Sequence, residues 1–218
     1  MSKIAISPNM SDYFHEVVVE AIRSRRVDAS EAAAGYLVGL LCDYAHPGEE
    51  AESALNRPLT FLLREAQEAP AAERFRRLRA LGDGVLYAVG FFAGHIEQSG
   101  VDRSYVLNVG STAYDQAAAM LRLGRAAPSR TGGDPLIVRR ADREAPAPPD
   151  VLGELAEKFE RFADVLSAVA DGTLACGARD GRSVLKLYER WLRTGSARLA
   201  EELGAHGLVP TRGSGGVN

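Results

Sequence analysis

Apolar residues recur three and four positions apart along most of residues 1–124, which is the spacing of helices that each bury one face. We predict a first helix from Ser11, a second capped by Ser30, and a short third helix between two prolines. A fourth helix over residues 71–98 and a fifth that follows Asp102 are apolar on nearly every side. Because such helices are buried on more than one face, this pair is predicted to form the centre of an all-α bundle.

The helical pattern fails after Gly124. Five of the ten prolines fall between Pro128 and Pro149, and proline-rich sequence is extended, so we predict a linker there. From Asp150 the helical spacing resumes, and a glycine-rich turn leads to a further helix over 183–203, which is typical of a helical hairpin. We expect this hairpin to pack on the bundle or on a second copy of the chain. The predicted organisation is a bundle of about five helices over 1–124, a linker over 125–149, a C-terminal hairpin over 150–203 and a flexible tail over 204–218.

Composition limits the classes of function. The 218 residues are 46% hydrophobic and 25% charged, which is ordinary for a globular protein, and the net charge of −3 gives no general attraction to nucleic acid or anionic lipid. Cys42 lies in an apolar helical run, where a buried and reduced thiol is expected. The apolar runs are shorter than the ~20 residues of a membrane span, and the N-terminus lacks the pattern of a secretory signal. We therefore expect a cytoplasmic protein that binds neither nucleic acid nor membrane.

Small residues indicate a close contact between two helices. Gly90 and Gly94 lie one turn apart on the fourth predicted helix, and Gly35 and Gly39 form a matching pair on the second. We expect these two helices to cross at short distance through the glycines. The alternative is that the small side chains leave room for a flat apolar ligand. Close packing is favoured, because protein interiors rarely leave voids unfilled.

Asp83 and Tyr87 share the side of the fourth helix that carries Gly90, so both are expected to be at least partly buried. A buried carboxylate has to be ion-paired, hydrogen-bonded or protonated. In a functional interpretation, Asp83 is a base or a ligand-binding group near the middle of the bundle. In the structural interpretation, which we favour, it accepts hydrogen bonds from Tyr105, Tyr114 or an arginine, or it caps a kink. The candidate ligand-binding residues are Asp83, Tyr87, Tyr105 and Tyr114.

Aspartate and histidine pairs raise the possibility of a metal site. Asp12 and His15 lie three residues apart on the first helix, Asp43 and His46 three apart at the end of the second, and His95 near the end of the fourth. Helical bundles hold metal centres with glutamate and histidine at this spacing. Aspartate has a shorter reach, and no inward-facing pair of glutamates is evident, so ordinary interior or boundary histidines are favoured.

Motifs of established catalytic chemistries are missing from the sequence. It has no phosphate-binding loop, no nucleophile elbow, no paired Cys-x-x-Cys and no zinc-protease motif. No cofactor is therefore predicted, and a metal ion stays the weaker alternative.

The segment from Leu81 to Tyr114 resembles a group of bacterial all-helical proteins to which no activity is assigned. The chain departs from that group at Ser104-Tyr105, where the group tends to have two aromatic residues. The resemblance extends over about the first 125 residues, and it implies a helical fold and a bacterial source without a mechanism. It is carried by Leu81-Gly82-Asp83, Leu86, Gly90-Phe91-Phe92, Asp102, Tyr105, Gly110, Ala113 and Tyr114.

Taken together, these features favour an interaction or regulatory module over an enzyme. Its partner is expected to be a protein, including a second copy of the chain. The alternative is a small-ligand-binding or metal-dependent helical enzyme that uses Asp83 and Tyr87, or the aspartate and histidine pairs.

Overall fold

A computed structural model describes residues 8–45, 57–98, 100–126, 150–177 and 181–208. Throughout these ranges the regular secondary structure is helical, which confirms the all-α class. The helices are α1 Pro8–Arg25, α2 Glu31–Tyr44, α3 Leu59–Glu68, α4 Ala71–Phe91, α5 Ala93–Gln98, α6 Arg103–Ala126, α7 Val151–Glu157, α8 Phe159–Gly177, α9 Gly181–Thr194 and α10 Ala197–Ala205.

Helices α2 and α6 begin where their capping residues predict, whereas α1 begins at Pro8 and not at the predicted Ser11. Ser30 precedes α2, and its hydroxyl oxygen accepts a hydrogen bond from the backbone N–H of Ala33 at 3.1 Å. Asp102 precedes α6 and accepts from the N–H of Ser104 at 2.6 Å. Pro58 stands directly before α3, where its missing N–H costs nothing. These local hydrogen bonds satisfy backbone donors that the first turn of a helix leaves unpaired.

Helices α4 and α6 form the centre of the bundle, as the sequence predicts. A Cβ added at Gly82 on α4 would lie 2.5 Å from Cδ1 of Tyr114 on α6. Nearer the start of α6, Gly110 lies against Val85. These two contacts show that the helices run antiparallel and that glycines allow large side chains to approach their backbones. The ring of Tyr114 is fully buried at this crossing.

The predicted glycine crossing between α2 and α4 is wrong. Gly35 and Gly39 are exposed, and a Cβ added at either would meet nothing within 4 Å. Helix α2 instead buries its leucine face, which includes Leu37 and Leu41. Gly90 is a close-packing residue, but its neighbour is Leu166 of α8, whose Cβ would lie 2.5 Å from a Cβ at this position. A small residue therefore marks a helix crossing only when it lies on the buried face.

Two predicted helices are interrupted. The helix expected over 71–98 ends at Phe92, whose φ of −120° and ψ of 30° are not helical, and α5 begins directly after it. The helix expected over 183–203 divides at Gly195, which has a φ of +63°. The N–H of Gly195 donates to the carbonyl oxygen of Trp191 at 2.8 Å, the arrangement with which many helices end.

The C-terminal helices pack on the bundle of their own chain. Phe162 and Leu166 of α8 are fully buried in the same apolar core as Leu37 of α2 and Leu86 of α4. A second, smaller core joins α9 and α10 to the end of α8. Its members are Ala175, Leu187, Trp191, Leu199 and Leu203. Residues 127–149 of the predicted linker, and residues 209–218 of the predicted tail, lie outside the described residues.

Cys42 is a free thiol that is 5% exposed on α2, as predicted for a reduced core residue. Among the described residues, no helix combines the length and apolar character that a membrane span requires.

Candidate functional site

Asp83 lies in the middle of α4 and is the centre of a buried polar cluster. Its Oδ1 atom accepts two hydrogen bonds, from the Tyr36 hydroxyl at 2.5 Å and from the Tyr114 hydroxyl at 2.7 Å. Tyr36 is on α2 and Tyr114 is on α6, so Asp83 joins three helices through one oxygen atom. The expectation that Tyr114 donates to Asp83 matches this geometry, whereas the contribution of Tyr36 was not predicted.

Arg79 covers the open side of the cluster. It lies one turn before Asp83 on α4, with its Nε atom 3.5 Å from Asp83 Oδ2. The same Nε donates to the Tyr36 hydroxyl oxygen at 3.0 Å, and the guanidinium lies 5.3 Å from the centre of the Tyr36 ring. This arginine completes the set of groups that surround the carboxylate. The sequence contained a sign that Tyr36 faces the bundle, because position 36 adjoins the apolar face of α2.

Burial dominates the electrostatics of this cluster. It raises the pKa of Asp83, while hydrogen bonds from Tyr36 and Tyr114 and the charge of Arg79 oppose that shift. Burial and the negative charge of Asp83 raise the pKa of both tyrosine hydroxyls well above the usual range. The tyrosines therefore act as neutral donors near neutral pH. A carboxylate with two such donors and an adjacent guanidinium is well suited to hold three helices in register.

Tyr87 takes part in an aromatic stack rather than in the Asp83 hydrogen bonds described above. Its ring lies 4.4 Å from that of Tyr44 and 4.7 Å from that of Phe91, with both pairs nearly parallel. The exposed ring of Phe92 meets Tyr87 edge-on at 5.8 Å. Burial raises the pKa of Tyr44 to about 12. The stack fills the contact between the ends of α2 and α4.

Tyr105 is not brought to the candidate site. It lies near the start of α6, nine residues before Tyr114, which corresponds to about 13 Å along a helix. Its side chain is 37% exposed. Of the four candidate ligand-binding residues, Asp83 and Tyr114 are in direct contact, Tyr87 is one turn away on α4, and Tyr105 is separate.

The candidate metal ligands do not form a cluster within the described ranges. Asp12 and His15 are exposed on α1, and Asp43 is exposed near the end of α2. His46 lies outside the described residues, and His95 belongs to α5 with its side chain outside them. Among the described residues, no three histidine, cysteine, aspartate or glutamate side chains lie close enough together to hold a metal ion.

A buried ion pair between Arg190 and Asp171 was missed by sequence reasoning. Arg190 on α9 is 7% exposed and Asp171 on α8 is 1% exposed, and Nε of the arginine donates to Oδ1 of the aspartate. Its terminal nitrogens donate to the carbonyl oxygens of Phe91 at 2.9 Å and Gly90 at 3.3 Å. The sequence feature that could have indicated this ion pair is Asp171, because it is the single charged residue among the last thirteen residues of α8.

Searches against protein-family models, curated proteins and solved structures find no match to this chain.

Proposed function

We propose that this chain is a helical interaction module whose partner is a second copy of the chain, bound through the outer face of α9. The supporting observation is the exposure of two leucines on that face. Leu185 is 56% exposed and Leu192 is 46% exposed. They are seven residues apart, which separates them by about 20° around the helix axis. They therefore form one apolar seam that faces outward.

Helix α9 thus carries apolar side chains on two opposite sides. Leu187 and Trp191 form its inner face, where they are buried against α10. Leu185 and Leu192 lie roughly 100–160° away from those residues at 100° per residue. A helix that buries only one face has polar residues on the other. The outer leucines favour a second helix as a packing partner.

The seam is self-complementary. In an antiparallel pair of α9 helices related by a two-fold axis, Leu185 of one copy meets Leu192 of the other, and the same contact is repeated on the other side of the axis. Lys186 and Glu189 are exposed beside the seam and carry opposite charges, so Lys186 of one copy can pair with Glu189 of the other. Seven-residue spacing of leucines is the pattern with which helices pack pairwise.

An enzymatic role has less support from the geometry. The Asp83 carboxylate accepts hydrogen bonds from residues of its own chain, and these bonds offset the free-energy cost of burying it. We also propose a bacterial source, as the resemblance of residues 81–114 implies, and a cytoplasmic setting, which the free buried thiol of Cys42 supports.

Sedimentation velocity over a wide range of protein concentration tests the proposal. The wild-type chain is expected to shift from monomer to dimer as concentration rises, with weak affinity because a single helix pair buries a small area. Leu185→Asp is expected to keep the chain monomeric by burying two charges in the seam. Leu123→Asp is the matched control, because Leu123 is 72% exposed on α6, away from α9.

Circular dichroism of both variants establishes that the helices are intact. A wild-type chain that stays monomeric at the highest concentration overturns the proposed self-association. Equal loss of dimer in Leu185→Asp and Leu123→Asp would place the interface elsewhere than on α9.

A further inference from the structure

A cavity of about 190 Å³ lies between α4, α5, α6, α8 and α9, close to the buried Arg190. Three arginines line it, namely Arg103, Arg190 and Arg193, and Asp164 is the acidic residue in the lining. Val89 and Ala163 also border the cavity, but both are almost fully buried in the core. Three cationic groups therefore converge on a small space in a chain whose overall charge is negative.

Two of these arginines already have partners. Arg190 is held by Asp171 and by the carbonyl oxygens at the end of α4. Arg103 donates to Glu160 at 2.7 Å and to Asp164 at 3.3 Å. Their positive charges are therefore compensated by residues of the chain. Both line the cavity, and Arg103 is the one of the two that contacts the Asp164 carboxylate.

Arg193 is different. Within the described part of the chain, its guanidinium has no ion pair and no hydrogen bond. It lies directly against Gly94 of α5, where any side chain would occupy the position of the guanidinium. A glycine at this position thus makes room for the guanidinium of an exposed arginine that lines the cavity and is open to a ligand.

We propose that this cavity binds a short-chain monocarboxylate, with the carboxylate held by the guanidinium of Arg193. The planar guanidinium matches the two oxygens of a carboxylate through paired N–H donors. The volume corresponds to about six water molecules at ~30 Å³ each, which fits a ligand of a few carbon atoms. Asp164 disfavours an anion with more than one charge.

Isothermal titration with sodium butyrate at constant ionic strength tests this site. The wild-type chain is expected to bind one equivalent saturably, and Arg193→Gln is expected to weaken binding by at least tenfold. Arg193→Lys is expected to be intermediate, because it keeps the charge and loses the paired donors. Arg161→Gln on α8 is the matched control, since Arg161 is exposed and does not line the cavity.

The absence of saturable butyrate binding to the wild type overturns the proposal, as does equal binding by the wild type and Arg193→Gln. Inorganic phosphate that binds as tightly as butyrate contradicts the carboxylate class. Leu185→Asp is expected to bind butyrate normally, which separates this site from the proposed self-association.

Discussion

The guanidinium of Arg190 donates a hydrogen bond at 2.9 Å to the carbonyl oxygen of Phe91, the last residue of α4 and 99 residues earlier in the chain. The final carbonyl groups of a helix have no partner within the helix. Arg190 satisfies two of them, on Phe91 and Gly90, while its Nε atom pairs with Asp171 of α8. One side chain of α9 therefore attaches that helix to both α4 and α8.

Arg190→Met is expected to lower the free energy of unfolding by about 3–5 kcal/mol, because it leaves the charge of Asp171 buried without a counter-charge. The double variant Arg190→Met/Asp171→Leu is expected to recover much of that loss, since both charges are then removed. Urea unfolding of the two single variants and the double variant measures the coupling free energy. Strictly additive effects would contradict a stabilising ion pair.

Local signals account for the parts of the fold that the sequence predicted. Ser30 and Asp102 cap the helices that follow them, and their hydrogen bonds span at most three residues. The central position of α4 and α6 follows from their nearly uninterrupted apolar surface. Neither inference requires knowledge of which helix packs on which.

The parts that were missed depend on contacts between distant segments. The break at Phe92 lies next to carbonyl groups held by Arg190, about one hundred residues away in sequence. Asp83 finds its second tyrosine donor 47 residues earlier, on α2. The spacing of Gly35 and Gly39 resembles a helix crossing, but spacing alone does not state which face of α2 is buried. Such pairings are decided by tertiary packing.

Alanine substitution is expected to change the free energy of unfolding in opposite directions at Gly90 of α4 and Gly39 of α2. Gly90→Ala places a Cβ 2.5 Å from that of Leu166 and is expected to destabilise the chain by about 1–3 kcal/mol through overpacking. Gly39→Ala meets no atom within 4 Å and is expected to stabilise α2 by about 0.5–1 kcal/mol, because alanine favours helix. Thermal unfolding of both variants checks the sign. A stabilising Gly90→Ala would be inconsistent with the packing of α4 on α8.

Asp83 is expected to behave as a structural residue. Asp83→Asn retains an oxygen that accepts from the hydroxyls of Tyr36 and Tyr114, so it is expected to be the milder change. Asp83→Leu leaves both donors without an acceptor and is expected to cost about 1–3 kcal/mol more. Denaturant unfolding gives the two free energies. If both variants unfold at the same denaturant concentration, the hydrogen bonds of this cluster do not contribute to stability.

Alkaline pH is expected to destabilise the fold through its buried tyrosines. Burial raises the pKa of Tyr44 to about 12, and burial together with the Asp83 charge raises that of Tyr114 well above its usual value. Tyrosine in an unfolded chain titrates near pH 10. Because the folded pKa is the higher one, the stabilising contribution is complete below pH ~10. It is lost as pH rises from ~10 towards the folded pKa.

The expected slope is about 1.4 kcal/mol per pH unit for a fully buried tyrosine such as Tyr114. Tyr114→Phe is expected to be less stable than wild type at neutral pH, where it loses the hydrogen bond to Asp83, and to have a shallower slope above pH ~10. Urea midpoints at a series of pH values measure both effects, and near-ultraviolet absorbance reports tyrosinate directly. Equal slopes for the wild type and Tyr114→Phe would mean that the Tyr114 hydroxyl ionises in the folded chain, contrary to its burial between α4 and α6.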